Sequence, residues 1–241
     1  MTQPHSAGRT AHPSSGPPGA EVTATAAVLQ RLRQWRVIPV VTVHDAADAA
    51  PLASALSEGG LPCAEFTLRV PAGLTSLERA AGLEGFTLGA GTVLTAAQTR
   101  QAVDAGAQFI VSPGLSAEVV AAGEAAGVPV LPGVVTATEI MSALGLGLKL
   151  VKFFPAATSG GPAALRALAS AFPGLGFMPT GGITPDSLAD YLTVPAVAAV
   201  GGTWITPEPM VAARNFAAIT KLAQAAVTAA TTASREQGQP A

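Results

Sequence analysis

A single cysteine, Cys63, leaves the chain without any internal disulfide framework. Its setting in Leu61, Pro62, Cys63, Ala64 marks it as a packing residue, because free cysteine is among the most buried residue types. That usage fits a reducing cytoplasm. Charge is also scarce, with 12% charged residues and a net charge of -2, and no cluster of Lys and Arg forms a footprint for nucleic acid. Two of the three histidines lie in the first twelve residues, so His44 stands alone in the body of the chain. Without partners at ligand spacing it predicts no metal, and a place in a turn or helix entry is preferred to a role as general base. Long apolar runs are missing too: despite a mean hydropathy of +0.44, Gly, Pro or a charge interrupts every stretch before the roughly 18 residues that a membrane span requires. The opening MTQPHSAGRTAHPSSGPPGA lacks the apolar centre of a secretory signal. The expected partner is a small molecule, with no nucleic acid and no membrane.

Apolar residues make up 49% of the 241, enough for one large buried interior. Residues 1–20 are rich in Pro, Gly, Ser and Ala with almost no large apolar side chain, a composition that predicts disorder. From Glu21 to Trp35, the spacing of Val28, Leu29, Leu32 and Trp35 predicts a helix able to close one end of the fold. Beyond it a unit recurs: a short apolar run, a turn rich in Gly, Pro or Thr, then an Ala/Leu-rich stretch. The runs begin near Val37, Cys63, Phe86, Gln108, Val128, Lys149, Gly176 and Val197, at intervals of 20 to 27 residues. Near-continuous apolarity is expected of parallel strands covered on both faces, so eight such units predict a single-domain (β/α)8 TIM barrel over residues 21–231. An open doubly wound sheet is the alternative, but no Gly-rich dinucleotide fingerprint follows VIPVV, and no cofactor is expected. A last helix is predicted over Val211 to Ala230, followed by a flexible tail at residues 232–241.

Only Lys149, Lys152 and Lys221 can supply an amine. Two of them share the run LKLVKFFPA, where alternation puts Leu150, Lys152 and Phe154 on one face and Lys149, Val151 and Phe153 on the other. Lys152 is nearer the C-terminal end of the strand, where barrels place their chemistry. Free lysine is almost wholly protonated at pH 7, so an amine meant to attack a ketone belongs among apolar walls beside another cation. A structural ion pair is the competing reading. In CAEFTLRV, Glu65, Thr67 and Arg69 fall on one face at two-residue steps. A carboxylate inside a barrel is costly without a partner, so Glu65 is a candidate proton shuttle and Arg69 a fork for a substrate carboxylate, with an internal pair of Glu65 to Lys152 or Arg69 as the alternative. PTGGI at 179–183 and VGGTW at 200–204 supply Gly-rich turns after the seventh and eighth runs, the usual phosphate-binding position in barrels, given a helix N-terminus nearby. GAGTVL and SPGL end the third and fourth runs and add the Thr92 hydroxyl and a rigid wall at Pro113, although both could be plain turns.

Together these motifs resemble the 2-keto-3-deoxy-6-phosphogluconate (KDPG) and 4-hydroxy-2-oxoglutarate (KHG) aldolases, class I enzymes of the Entner–Doudoroff route. The resemblance covers about residues 37–205 and is carried by E-x-T-L-R at 65–69, GAGTVL, GAQFIVSPGL at 106–115, PGV at 132–134, KFFPA at 152–156, PTGGI and GGTW. It implies that Lys152 forms a Schiff base, Glu65 is the acid and base, Arg69 and Thr92 hold the pyruvoyl carboxylate, and Phe154 packs on the substrate. Thr180, Gly181, Gly182, Gly202 and Thr203 would lie toward the phosphate end, with Thr203 standing where many members carry Ser. A homotrimer is implied as well. The hydroxyl of Thr180 favours the gluconate substrate over its galactonate epimer; KHG cleavage and a non-catalytic phosphosugar-binding barrel are the rival readings.

Overall fold

The computed structural model describes residues 24–236, so the expected disorder of residues 1–20 lies outside it, as does the end of the tail. Parallel strands alternate with helices along the described chain. In order these are α1 (Ala24–Trp35), β1 (Val37–Val41), α2 (Ala49–Glu58), β2 (Cys63–Thr67), α3 (Gly73–Ala80), β3 (Thr87–Gly91), α4 (Ala96–Asp104), β4 (Phe109–Val111) and α5 (Ala117–Ala125). There follow β5 (Val130–Leu131), β6 (Gly133–Val134), α6 (Ala137–Gly145), β7 (Leu150–Phe153), α7 (Gly161–Ala171), β8 (Gly176–Pro179), α8 (Leu188–Leu192), β9 (Val200–Gly202), α9 (Glu208–Ala212) and α10 (Phe216–Glu236). The eight expected runs become nine strands among the described residues because Pro132 interrupts the fifth: proline has no N–H to donate to a ladder. Its carbonyl still accepts from Lys152 N at 2.9 Å.

The strands form a six-stranded parallel sheet in the order β5-β4-β3-β2-β1-β9 and a three-stranded sheet β6-β7-β8. Isolated bridges from Phe177 to Val197 and from Thr180 to Gly201 connect the two beside β9. Burial divides the strand residues by parity, as alternation requires. Val37, Val41, Ala64, Phe66, Val151, Phe153 and Phe177 join the layer under the helices, while Ile38, Cys63, Phe109, Leu150 and Met178 form a separate inner cluster. Helix α1 completes that inner cluster with Val28 and Leu32, one turn apart on its buried face, and so covers the N-terminal ends of the strands. Leu32 is fully buried, and truncating it to Ala would destabilise by about 2–5 kcal/mol.

The C-terminal helix differs from the expectation over Val211 to Ala230. It is two helices with a break at residues 213–215, where Arg214 adopts φ 53° and its Nε donates to Asp48 at 2.7 Å. Asn215 Oδ1 then accepts from Ala218 N at 3.3 Å, an N-cap that starts α10 afresh. That helix packs on α2 and α8 and continues through Glu236, beyond the expected boundary at residue 231.

Candidate active site

Inward parity carries the polar residues to the C-terminal halves of the strands. Leu150 lies in the inner cluster, so Lys152, two residues on, faces inward; the structure leaves it 5% exposed, whereas Lys149 and Lys221 are exposed. Cys63 in the same way directs Glu65, which is fully buried. Lys152 Nζ stands 3.2 Å from Glu65 Oε1, and 5.0 Å from the centroid of the Phe154 ring. Glu65 Oε2 is buried with no protein hydrogen-bond partner among the described residues. A buried ion pair serves stability only when its remaining lone pairs and protons are satisfied, since desolvation costs several kcal/mol per ion. This pair is only half satisfied, and that argues against a purely structural role.

Small residues make room for it. Gly91 of β3 lies beside Glu65, and a Cβ there would overlap Oε1, Cγ and Cδ of the carboxylate side chain. Gly133, the register partner of Lys152, is backed by the Pro113 carbonyl, which places Pro113, half-buried, behind the lysine strand. At the end of β3, Thr92 adopts φ 59°, a left-handed conformation strained for a β-branched residue. Strain of this kind is concentrated at functional sites, so this observation strengthens the case for Thr92 over a plain turn.

Arg69 lies beyond β2 rather than on it, exposed in the following turn. Leu68 N donates to Gly91 O at 2.8 Å and ties that turn to the end of β3, one residue before Thr92. Arg69 also lines a cavity of about 390 Å³ over the end of β1 with Thr42, Thr203 and Thr206, so Arg69 and Thr203, assigned to opposite ends of a ligand, border one space.

The two Gly-rich turns use their glycines differently. Gly181 (φ 100°) and Gly182 (φ 73°) are left-handed, and a Cβ added at Gly181 would lie 3.2 Å from the Phe154 ring. Gly201 and Gly202 are not left-handed; they are required for space, as side chains there would collide with the Thr180 hydroxyl and the Trp204 ring. Thr180 is buried at the end of β8, and its hydroxyl is 3.5 Å from the Met178 carbonyl. Neither turn feeds directly into a helix: α8 starts at Leu188 and α9 at Glu208, so the expected helix-dipole contribution to an anion site is not built into these turns. His44 is exposed, as expected of a turn residue, and its Nε2 lies 3.1 Å from Glu208 Oε2.

Sequence reasoning missed Thr42, whose hydroxyl is 3.2 Å from that of Thr67 in a buried pair between the ends of β1 and β2. The signal was the same parity, since Ile38, Val40 and Thr42 alternate along one face. Gly91 was read as turn chemistry, and its neighbour Glu65 becomes evident only from the pairing of β2 with β3. Among the described residues no group of three or more His, Cys, Asp or Glu could hold a metal ion, and no helix is long and apolar enough to cross a membrane.

Known proteins share this fold and much of this sequence. The model of the KDPG and KHG aldolase family matches residues 28–222. A 2-dehydro-3-deoxy-phosphogluconate aldolase of Treponema pallidum is 46% identical over 201 residues, covering 82% of this chain and 94% of the relative. A KDPG aldolase of Legionella pneumophila, solved with pyruvate captured at low pH as a covalent carbinolamine intermediate, superposes with a TM-score of 0.79 at 40% identity over 85% of this chain and 98% of its own. The Zymomonas mobilis ZM4 enzyme, solved with 3-phosphoglycerate, gives a TM-score of 0.77 at 44% identity over 83% and 94%. The buried lysine and carboxylate therefore lie in a fold and sequence context shared along most of the chain, and this protein belongs to the KDPG and KHG aldolase family.

Proposed function

We propose that the chain cleaves 2-dehydro-3-deoxy-6-phosphogluconate into pyruvate and glyceraldehyde 3-phosphate, with Lys152 as nucleophile and Glu65 as acid and base. The contact of 3.2 Å between Nζ and Oε1 carries this reading, because it puts a proton carrier within hydrogen-bond reach of the only buried lysine. Glu65 takes a proton from Lys152, and the neutral amine adds to the C2 ketone to give a carbinolamine. Protonated Glu65 returns the proton to the departing hydroxyl, water leaves, and a cationic imine remains. Glu65, ionised again, accepts the C4 hydroxyl proton. The C3–C4 bond breaks, its electron pair forms the enamine double bond and neutralises the imine nitrogen, and C4 leaves as the aldehyde of glyceraldehyde 3-phosphate. Protonation at C3 and hydrolysis release pyruvate and restore Lys152. The carbinolamine trapped in the Legionella relative supports the first step.

Around this centre Arg69 and Thr92 take the pyruvoyl carboxylate, a reading supported by the hydrogen bond that holds their two turns together. Phe154 and Pro113 form the apolar wall, while Thr180, Gly181, Gly182, Gly202 and Thr203 face the distal hydroxyls and phosphate. Buried Thr180 supports the gluconate epimer, since a site with a polar group must pair it. We further read the two sheets as one closed (β/α)8 barrel, supported by the bridges between β8 and β9 and by the single proline separating β5 from β6. A cytoplasmic homotrimer fits the family; exposed Leu94, Met141, Leu144 and Leu146 supply apolar surface for such contacts, which sedimentation equilibrium would test. The activity is tested by pyruvate release from the two epimeric phosphosugar acids, coupled to lactate dehydrogenase in the presence of a chelator. Turnover preferring the gluconate epimer and lost in Lys152→Ala is expected; binding without turnover would instead favour a phosphosugar-binding barrel.

A further inference from the structure

The geometry points to a second binding pocket, for a small organic oxyanion, at the N-terminal ends of β1, β8 and β9, the strand ends opposite to those that carry the lysine chemistry. A cavity of about 460 Å³ opens there between Arg33 and Arg36 on one side and the segments 172–176 and 195–198 on the other. That volume suits a small metabolite. Phe172, Leu175 and Pro195 give it an apolar side, and among the described residues no Asp or Glu lines it. None of the four ion pairs found among the described residues involves Arg33 or Arg36, so two guanidinium charges face one concavity without a counter-charge.

Arg36 is built into place. It adopts φ 61°, rare for a side chain of this size, and its Nη1 and Nη2 donate to the Val197 and Leu192 carbonyls at 3.1 and 3.2 Å. Holding the end of α8 in this way uses two of its five N–H groups. Its Nε is buried without a partner among the described residues, and burial holds the guanidinium below its ordinary pKa, the sign of a cation short of compensation. With Nε enclosed, the second N–H of Nη1 and of Nη2 are the donors left for a ligand, and holding the fork on two carbonyls lowers the entropic cost of using them. Arg33 is exposed and reaches across the start of β8, where its Nη2 lies 3.5 Å from the point a Cβ on Gly176 would occupy. That is ordinary van der Waals distance, so the guanidinium lies along the wall of the cavity that Gly176 helps to form. The combination of one fixed guanidinium, one adjustable guanidinium and an apolar wall suits a carboxylate or phosphate carried on a small carbon frame.

Titration calorimetry with inorganic phosphate and with citrate, at constant ionic strength set by chloride, tests the pocket in the full chain. Arg33→Ala and Arg33→Glu are the main variants, since Arg33 is exposed and remote from the lysine; Arg36→Lys retains the charge but removes the fork. Wild type should bind one more anion per chain than either Arg33 variant, with aldolase turnover unchanged, and Arg36→Lys should weaken that site about tenfold. The arm with the larger loss identifies the preferred head group. Counting the difference between variants separates this site from any phosphate held near Lys152. Equal stoichiometry and affinity in wild type and both Arg33 variants, or no binding of either anion, would overturn the proposal.

Discussion

Gly91→Ala should disable the site without replacing a reacting group. Gly91 is on β3 in register with Thr67, its backbone is not left-handed, and the three atoms an added methyl would meet first all belong to the Glu65 side chain. Alanine is thus free of backbone strain there, and the main effect arises from displacing Glu65. That side chain has no solvent to retreat into, being fully buried, so it must rotate away from Lys152 Nζ and give up the 3.2 Å contact. Overpacking of this kind costs about 1–3 kcal/mol of stability. Loss of a positioned acid and base lowers kcat by about 10²- to 10⁴-fold, or roughly 3–5 kcal/mol of barrier. Gly89→Ala is the control: it also faces inward and would be overpacked, but against the Phe109 ring. Urea unfolding would measure stability, and pyruvate release coupled to lactate dehydrogenase would measure kcat. Both variants should lose stability, and Gly91→Ala alone should lose most of its turnover among molecules that remain folded. A folded Gly91→Ala protein with wild-type kcat would refute the assignment of Glu65 as the proton carrier.

Other expectations concern stability and reactivity. Thr136 and Glu139 form a capping box at the start of α6, so Thr136→Ala should destabilise by about 1 kcal/mol in urea unfolding. The backbone N–H groups of Val135 and Thr136 hold the Glu139 carboxyl below its ordinary range, so its contribution is complete above the unfolded value of about 4.3 and fades as pH falls through the folded one. Glu139→Gln should therefore flatten the acid side of a plot of Tm against pH, and a profile identical to wild type would contradict the cap. Burial pushes the Cys63 thiol well up, so iodoacetamide should leave it unmodified in the native protein at pH 8 and alkylate it after denaturation, as read by intact mass. Thr180→Val should reduce kcat/KM on the gluconate epimer by about tenfold or more and narrow the preference between epimers, if the proposed contact of its hydroxyl is the discriminating one.

Much of this arrangement is visible in the sequence because parallel strands impose a rule of parity. Alternation puts Lys152 and Lys149 on opposite faces and Glu65 with Thr67 on one, the place of Lys152 near the C-terminal end of its strand chooses between the lysines, and the structure buries Lys152, Glu65 and Thr67 while leaving Lys149 exposed. The start of each run is legible within a few residues for the same reason: apolarity is continuous where both faces are covered. Features that depend on contacts between distant segments were not legible. Gly91 looks like any turn glycine until β2 and β3 are paired, and the cavity bordered by both Arg69 and Thr203 follows from β1 lying between β2 and β9. The break before α10 was readable in part, since Asn215 ahead of an apolar run is an N-cap signal; the left-handed Arg214 that completes it is set by distant Asp48 and Asp45. Pro132 could likewise have announced the interruption of the fifth run.

The central claim is that Lys152 forms the covalent bond to substrate. Pyruvate added with borohydride should convert the imine to a stable secondary amine, and peptide mass mapping should find one pyruvate-derived adduct per chain, on Lys152, with Lys149 and Lys221 unmodified and turnover abolished in proportion. An adduct on either exposed lysine, or full loss of trapping with Lys152 still free and the enzyme still active, would contradict it.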